Sequence, residues 1–372
     1  MEIIEIDTTD RRMVKEFLDL PFRIYQNIPQ WVPPIRMDAR QPLNRKKFPF
    51  YRDNDAIFLL AREGDRSLGR VAILENRRFN SYNQRKAAAF YLFECEENLE
   101  AARGMFDYGA EWARKRGLEE MIGPKGFTVF DGLGLLVEGF DYRPAFGQPY
   151  HMPYYQRLVE ESGFDCTGEL ITGTMDEETE FPGKIHKIAE LLKERRGFSI
   201  ARCESRRELK KVMLQLKDLY NDSLGETREN VPVTDEEVQA LSQQLLWFAD
   251  PKLIKIVMKD EAAVGFLLAY PDVSAALQKT KGRLFPFGWL VLLVELRWTK
   301  WININGAGII EKYRGLGGTA LLFSEMYKSV AESRYRKADI VQIGTDNKNM
   351  QREIRDLGIK INKFHRVYSR AL

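Results

Sequence analysis

The sequence contains few of the residues from which metal centres and disulfide frameworks are built. It has three cysteines and three histidines among 372 residues. The cysteines, Cys95, Cys166 and Cys203, are far apart and odd in number, which argues against a disulfide framework and against a cysteine-based zinc site. We therefore predict no metal centre in this protein.

Long apolar runs and a strong net charge are also missing. The longest apolar run, Trp289–Val294, is far shorter than the about 20 residues that cross a bilayer, so no transmembrane segment is predicted. Met1–Ile4 has neither the basic nor the apolar region of a signal peptide, and the cytoplasm is the expected location. A formal net charge of +3 provides no strong field for nucleic acid, which is therefore not an expected partner.

What the sequence does contain is a glycine-rich turn near its C-terminal end. The turn consists of Arg314, Gly315, Leu316, Gly317, Gly318 and Thr319. A predicted strand, Lys300–Ile310, precedes the turn, and apolar residues at helical spacing follow it. A glycine turn that opens a helix directs several backbone N–H groups at one point, where they can bind an anion. We expect a phosphate group there, with a charge-assisted contact from Arg314.

Two common phosphate loops do not fit this turn. A dinucleotide fingerprint needs G-x-G-x-x-G early in a βαβ unit, with an acidic residue about 20 residues later. A P-loop needs Lys-Ser or Lys-Thr after its glycines, and neither follows here. Two readings remain: the pyrophosphate loop of an acyl-CoA transferase, and a helix start at which glycine serves packing alone.

The first reading is favoured by a family resemblance. Arg314-x-x-Gly317 resembles most of the R/Q-x-x-G-x-G/A signature of the GNAT superfamily of acyl-CoA N-acyltransferases, with Thr319 in place of the final Gly or Ala. The following order is similar to the end of the GNAT fold: a strand at Asp339–Gly344, then Asn347, a short helix and a last strand at Ile359–Tyr368. The resemblance covers roughly residues 197 to 370.

The whole chain also resembles a group of bacterial tandem GNAT-like proteins with no assigned reaction. The segments that carry this resemblance are Leu20–Tyr25, Trp31–Pro34, Phe93–Glu96, Leu135–Phe140 and Gly282–Gly288. We therefore interpret the protein as α/β, with two GNAT-like acyl-CoA acyltransferase domains, each a mixed, partly antiparallel sheet flanked by helices. The predicted domains are residues 1–178 and 179–372.

The two predicted domains differ at the turn. Where the first would carry Arg-x-x-Gly it has Glu94–Asn98, whose carboxylates suit a helix N-terminus but would repel a pyrophosphate. We expect the second domain to bind CoA and the first to support it and to wall the acceptor pocket. A glycine-dense loop, Gly123–Gly134, is read either as a ligand loop or as a surface turn.

The resemblance implies a chemistry. Acetyl-CoA or another acyl-CoA would be the cosubstrate, and a small-molecule or peptide amine the acceptor. Backbone groups of Ile309 and Ile310 would polarise the thioester carbonyl, and Asn347 would belong to the CoA site. The tyrosine that the family often uses to protonate the leaving thiolate falls at Ile354 in this chain.

No catalytic residue follows from the sequence. Tyr368, His365, Asp346 and Glu226 are weak candidates that are more often structural. We expect an acyl-CoA-dependent N-acyltransferase that acts on an unidentified amine. A non-catalytic CoA-binding or interaction protein and an aminoacyl or peptide transferase are the alternatives. The acyl length, the acceptor and the oligomeric state, a homodimer included, stay open too.

An aromatic insert lies between two predicted strands of the second domain. It runs from Leu284 to Trp301 and contains Phe285, Phe287 and Trp298. We expect the first domain or a partner subunit to cover it, because both signs of charge surround a short run. A lid over an acyl chain and an interfacial membrane contact are the alternatives.

Overall fold

The computed structural model describes residues 1–201, 208, 217–223, 230–239 and 249–372. The strands within these residues are β1 (Glu2–Glu5), β2 (Asp55–Glu63), β3 (Arg66–Glu75), β4 (Ala87–Cys95), β5 (Glu120–Gly123), β6 (Leu135–Glu138), β7 (Asp165–Met175), β8 (Phe198–Ile200), β9 (Ile254–Lys259), β10 (Ala262–Pro271), β11 (Trp301–Ile309), β12 (Lys337–Gly344) and β13 (Lys360–Ala371). The helices that we number are α1 (Arg11–Ile24), α2 (Arg36–Ala39), α3 (Arg77–Asn83), α4 (Leu99–Arg114), α5 (Tyr155–Glu160), α6 (Gly183–Arg196), α7 (Ser274–Thr280), α8 (Gly288–Trp298), α9 (Gly318–Ala331) and α10 (Lys348–Asp356).

All the described strands belong to one mixed sheet. Its order is β1-β2-β3-β4-β5-β13-β7-β12-β11-β10-β9-β8, and β6 pairs with β13 off this path. Neighbouring strands are antiparallel except for the parallel pairs β4–β5 and β11–β12. The predicted mixed α/β class is confirmed.

The centre of the sheet is built by strands from both halves of the chain. β13 lies between β5 and β7, so that Tyr368 pairs with Gly123 on one side and Cys166 on the other. β7 in turn pairs with β12, with Gly173 opposite Ile340. The sheet therefore continues across residue 178, and the division into domains at that residue stays a prediction.

Long helices pack on both halves of the sheet. α4 begins at Asn98, whose side chain accepts from the amide of Ala101, and buries Met105 and Phe106 against the strands of the first half. α9 packs beside α6 on the second half and buries Leu321 and Met326. Each fully buried apolar side chain of this kind contributes about 1.5–3 kcal/mol.

The aromatic insert differs from the expectation. Its helix is α8, which has no buried residue, whereas α7, which precedes the insert, buries Ala276 and Leu277. Phe287 is 70% exposed and Trp298 71% exposed. The expectation that the first half covers the insert is therefore wrong, whereas cover by a partner subunit stays a prediction. The Arg36 amide of the first half donates to the carbonyl of Gly282, which lies in the turn just before the insert.

Candidate functional site

A gap opens between β11 and β12, close to the glycine turn. The two parallel strands pair from Trp301 with Lys337 to Ile304 with Ile340. In the described part of the chain, no pairing between them extends past these residues, although β11 continues for five residues to Ile309. We call the space between the unpaired ends of these two strands the opening.

The backbone of β11 presents an amide to this opening. The Ile310 amide donates to the carbonyl of Val264 at 3.0 Å, and Ile309 lies opposite Gly265 in the register with β10. Successive amides along a strand point to opposite edges, so the Ile309 amide faces away from β10 and toward the opening. Ile309 and Ile310 were both predicted to polarise the thioester carbonyl through their backbone. The Ile309 amide faces the opening, whereas the Ile310 amide is hydrogen-bonded to β10.

The glycine turn ends in an open helix N-terminus. Gly315 has φ +74° and Gly317 φ +103°, in the left-handed region that favours glycine. Gly317 is the N-cap of α9, and within the described residues no side chain caps that end. The first amides of α9 are thus oriented so that they can donate hydrogen bonds to an anion such as a pyrophosphate.

Glycine at position 318 also has a packing role. A Cβ there would come within 2.9 Å of Cδ1 of Ile309, so glycine lets α9 approach β11 closely. This contact joins the start of the helix to the edge of the opening. The packing reading is thus supported at Gly318, and anion binding by the turn stays a prediction.

Arg314 braces the turn against its surroundings. Its Nε donates to the carbonyl of Ile309 at 3.2 Å, and an Nη donates to the carbonyl of Ser223 at 3.0 Å. Both acceptors are backbone groups beside the opening. A contact between Arg314 and a phosphate stays a prediction. Leu316 in the turn is 38% exposed.

The structure brings Thr319 together with a residue that sequence reasoning missed. The Thr319 side chain lies close enough to the Glu353 carboxyl of α10 to lower its pKa. Burial has the larger, opposite effect, so the pKa of the Glu353 carboxyl is raised overall. No local pattern marks this pair, because the two residues meet only when α10 packs against the start of α9.

The neighbours of Glu353 have structural contacts. Ile354, at the position of the family's tyrosine, is 2% exposed in the core of the second half. The side chain of Asn347 accepts from the amide of Met350 at 3.0 Å and caps α10. Asp346 is exposed in the turn that follows β12. The CoA role of Asn347 stays a prediction.

The other catalytic candidates lie elsewhere. Tyr368 is fully buried in the core of the first half, and its hydroxyl donates to Glu160 at 3.1 Å. His365, also on β13, lies 3.3 Å from the carbonyl of Pro149, and burial lowers its pKa to about 4. β7 separates both residues from β12. Glu226 lies outside the described residues.

The first half supplies a wall on the face of the sheet opposite α9. In the glycine-dense loop, the Leu133 amide donates to Gln342 of β12 at 3.2 Å. The Phe130 ring lies 5.9 Å from that of Tyr220, which stacks on Phe266 at 6.0 Å. This aromatic wall is compatible with an apolar acceptor.

The equivalent region of the first half is filled by protein. Glu94 is buried and accepts from the hydroxyls of Tyr25 at 2.6 Å and Tyr155 at 2.9 Å, and burial raises its pKa to about 7. Glu96 is ion-paired with Arg66 at 2.8 Å. The carboxylates predicted to repel a pyrophosphate thus have partners, and Glu94 occupies the interior itself.

Comparisons with known proteins agree with this architecture. A tandem GNAT protein from the clavulanic acid biosynthesis pathway, solved without AcCoA, is similar over 100% of this chain and 98% of its own, with a TM-score of 0.58 and 13% identity. This chain has a tandem GNAT fold. A GCN5-related N-acetyltransferase from Sphaerobacter thermophilus has a TM-score of 0.54 and 11% identity, over 100% of this chain and 95% of its own.

Two sequence relatives match nearly the whole chain. A bacterial ceramide synthase from Caulobacter vibrioides is 27% identical over 369 residues, covering 96% of this chain and 95% of the relative. Protein YghO from Escherichia coli is 22% identical over 369 residues, covering 96% and 93%. No family model matches the sequence.

Proposed function

We propose that this protein transfers an acyl group from acyl-CoA to the amino group of a long-chain amine. The observation that carries the proposal is the opening between β11 and β12, which leads to the uncapped N-terminus of α9. A thioester extended along Ile309 would place its pyrophosphate at Gly315–Gly318. The second half, residues 179–372, then binds CoA, and the first half supports it and borders the acceptor.

The long-chain acceptor is supported by two observations. The relative from Caulobacter vibrioides is named a ceramide synthase, and ceramide is an amide of a fatty acid and a long-chain amine. The rings of Phe130 and Tyr220, both partly exposed and backed by the buried Phe266, offer apolar surface to such a chain. The acyl length is left open, and the cytoplasm, where acyl-CoA is made, is the proposed location.

The residues at the opening have separate roles in this proposal. The amide of Ile309 donates to the carbonyl oxygen on which charge develops. The amine nitrogen forms the new C–N bond as the C–S bond breaks, so that one proton leaves nitrogen and one reaches sulfur. Because Ile354 replaces the family's tyrosine, this chain has no side-chain acid at that position, and holding the two substrates together supplies much of the rate.

The proposal is tested by measuring acyl transfer and CoA binding on the same protein. Purified full-length protein is mixed with palmitoyl-CoA and sphinganine, and the N-acylated product is measured by mass spectrometry. Leu316→Glu places a carboxylate among the turn amides without altering a glycine, and should weaken CoA binding and slow transfer at least about tenfold.

Leu316→Gln is the matched control, since it has the same length without the charge, and should behave as the parent. CoA binding without product from any long-chain or short amine would favour a non-catalytic CoA-binding protein. Equal CoA affinity in the parent and Leu316→Glu would contradict the proposed site.

A further inference from the structure

An exposed apolar surface surrounds α8, at a distance in sequence from the glycine turn. Its members are Phe285, Phe287, Trp289, Leu290, Leu293, Val294 and Trp298, and we call them the α8 surface. Each is at least 43% exposed. A large group of neighbouring apolar side chains that is exposed to solvent marks an interaction site.

The charges around the α8 surface have one dominant sign. Residues 279–300 include five cationic side chains and one carboxylate. The cations are Lys279, Lys281, Arg283, Arg297 and Lys300, all exposed. The carboxylate, Glu295, lies 3.9 Å from Lys279 and is paired within the segment. The rim of the α8 surface is therefore cationic.

We propose that the α8 surface docks on an anionic lipid membrane. Trp, Phe and Leu side chains enter the boundary between headgroups and acyl chains, and a cationic rim is attracted to anionic headgroups. α8 has 11 residues and is about 16 Å long, against about 30 Å for the hydrocarbon core of a bilayer. It lies in the plane of the membrane, and no helix of the described residues is long and apolar enough to span it.

A second copy of the chain fits this surface less well. Two copies related by a two-fold axis would bring the same cations face to face, with only Glu295 from each to offset them. The surface also projects from the protein instead of forming a pocket, because α8 rests on α7 and has no buried residue. Charge complementarity thus favours lipid over self-association.

The base of the α8 surface is fixed to the rest of the molecule. The Arg36 amide donates to the Gly282 carbonyl at 2.9 Å, and the Gln278 side chain donates to the carbonyls of Pro29 and Trp31. A Cβ on Gly288 would meet the Arg283 carbonyl oxygen at 1.8 Å, so the turn before α8 is closely packed. Serine substitutions on the outer face should therefore leave the fold unchanged.

The test is sedimentation of the full chain with vesicles. We expect binding to vesicles of phosphatidylglycerol and phosphatidylcholine, weaker binding to phosphatidylcholine alone, and a loss of binding as salt is raised. Trp289→Ser with Leu293→Ser should lower the partition coefficient at least about tenfold. Tyr108→Ser, which removes an exposed aromatic ring from α4, should bind as the parent does.

Two further measurements make the result decisive. Arg283→Gln with Lys300→Gln should weaken binding to the anionic vesicles and flatten its salt dependence, and CoA affinity should be unchanged in every α8 variant. Equal vesicle binding by the parent and Trp289→Ser/Leu293→Ser would overturn the proposal. So would the absence of vesicle binding together with a concentration-dependent dimer that this double variant abolishes, since the second copy would then be the partner.

Discussion

Gln342 and Leu133 exchange two hydrogen bonds between the halves of the protein. The Leu133 amide donates to Oε1 of Gln342 at 3.2 Å, and Nε2 of Gln342 donates to the Leu133 carbonyl at 2.5 Å. Gln342 has φ +50° and lies where the register between β12 and β7 shifts. This side chain holds the glycine-dense loop of the first half beside the opening.

Gln342→Ala should lower stability and impair acceptor binding. Loss of both bonds leaves the Leu133 backbone without this partner and should reduce the free energy of unfolding by about 1–2 kcal/mol. Because the loop then loses its position, KM for the amine should rise while CoA affinity stays unchanged. Urea unfolding, calorimetry with CoA and steady-state kinetics measure the three quantities.

Gln278→Ala is the matched control for that change. Gln278 also makes two hydrogen bonds between the halves, to the carbonyls of Pro29 and Trp31, but at the base of α7. A similar loss of stability with an unchanged KM is expected. If both variants raise KM equally, the effect of Gln342→Ala comes from a weaker contact between the two halves. The assignment of the glycine-dense loop as a wall of the acceptor site is then wrong.

The Glu353 carboxyl should make CoA binding dependent on pH. The carboxyl lies near the start of α9, where its ionised form would repel a pyrophosphate. Burial raises its pKa. CoA affinity should therefore fall as pH rises through that pKa. Glu353→Gln should bind about two- to fivefold more tightly above it, as expected for one charge at a helix N-terminus, and match the parent below it.

Calorimetry from about pH 5 to about pH 8 compares the CoA affinities of the parent and Glu353→Gln. The titration of CoA itself affects both proteins equally and cancels in the comparison. Glu332→Gln, which removes an exposed carboxylate at the C-terminal end of α9, is the control and should follow the parent. Parallel pH profiles for the parent and Glu353→Gln would show that this carboxyl does not act on the anion site.

Glu94 should make the stability of the protein fall as pH rises. Its pKa is raised to about 7 in the folded chain, chiefly by burial, from an ordinary value of 4.5. Between these values the folded state binds a proton that the unfolded state has released, so the free energy of unfolding decreases from about pH 4.5 to about pH 7.

Glu94→Gln should flatten that slope in thermal unfolding measured across the range. Above about pH 7 the variant should also avoid the loss of stability that ionisation of the buried Glu94 causes in the parent. Glu97→Gln, whose parent carboxylate is exposed and paired with Arg157, should keep the slope. A slope that persists in Glu94→Gln would assign it to another group.

Local sequence signals predicted the elements of this site but not their assembly. The strand before the turn, the helix after it and Asn347 before α10 each follow from spacing, glycine and capping within a few residues. The Thr319–Glu353 contact and the Gln342–Leu133 bridge depend on packing between distant segments, for which one sequence has no marker. Hydrophobicity likewise predicted a covered insert, since apolar residues are usually buried, whereas α8 is not.

The position of β13 has a consequence for synthesis. Residues 360–371 form a strand at the middle of the sheet, between β5 and β7, and they are translated after every other strand described. While the ribosome still holds them, β5 has an open edge and the β7–β12 pair lacks its neighbour. The sheet can be completed only after Ala371 has left the exit tunnel, so both halves finish folding after this segment has been translated.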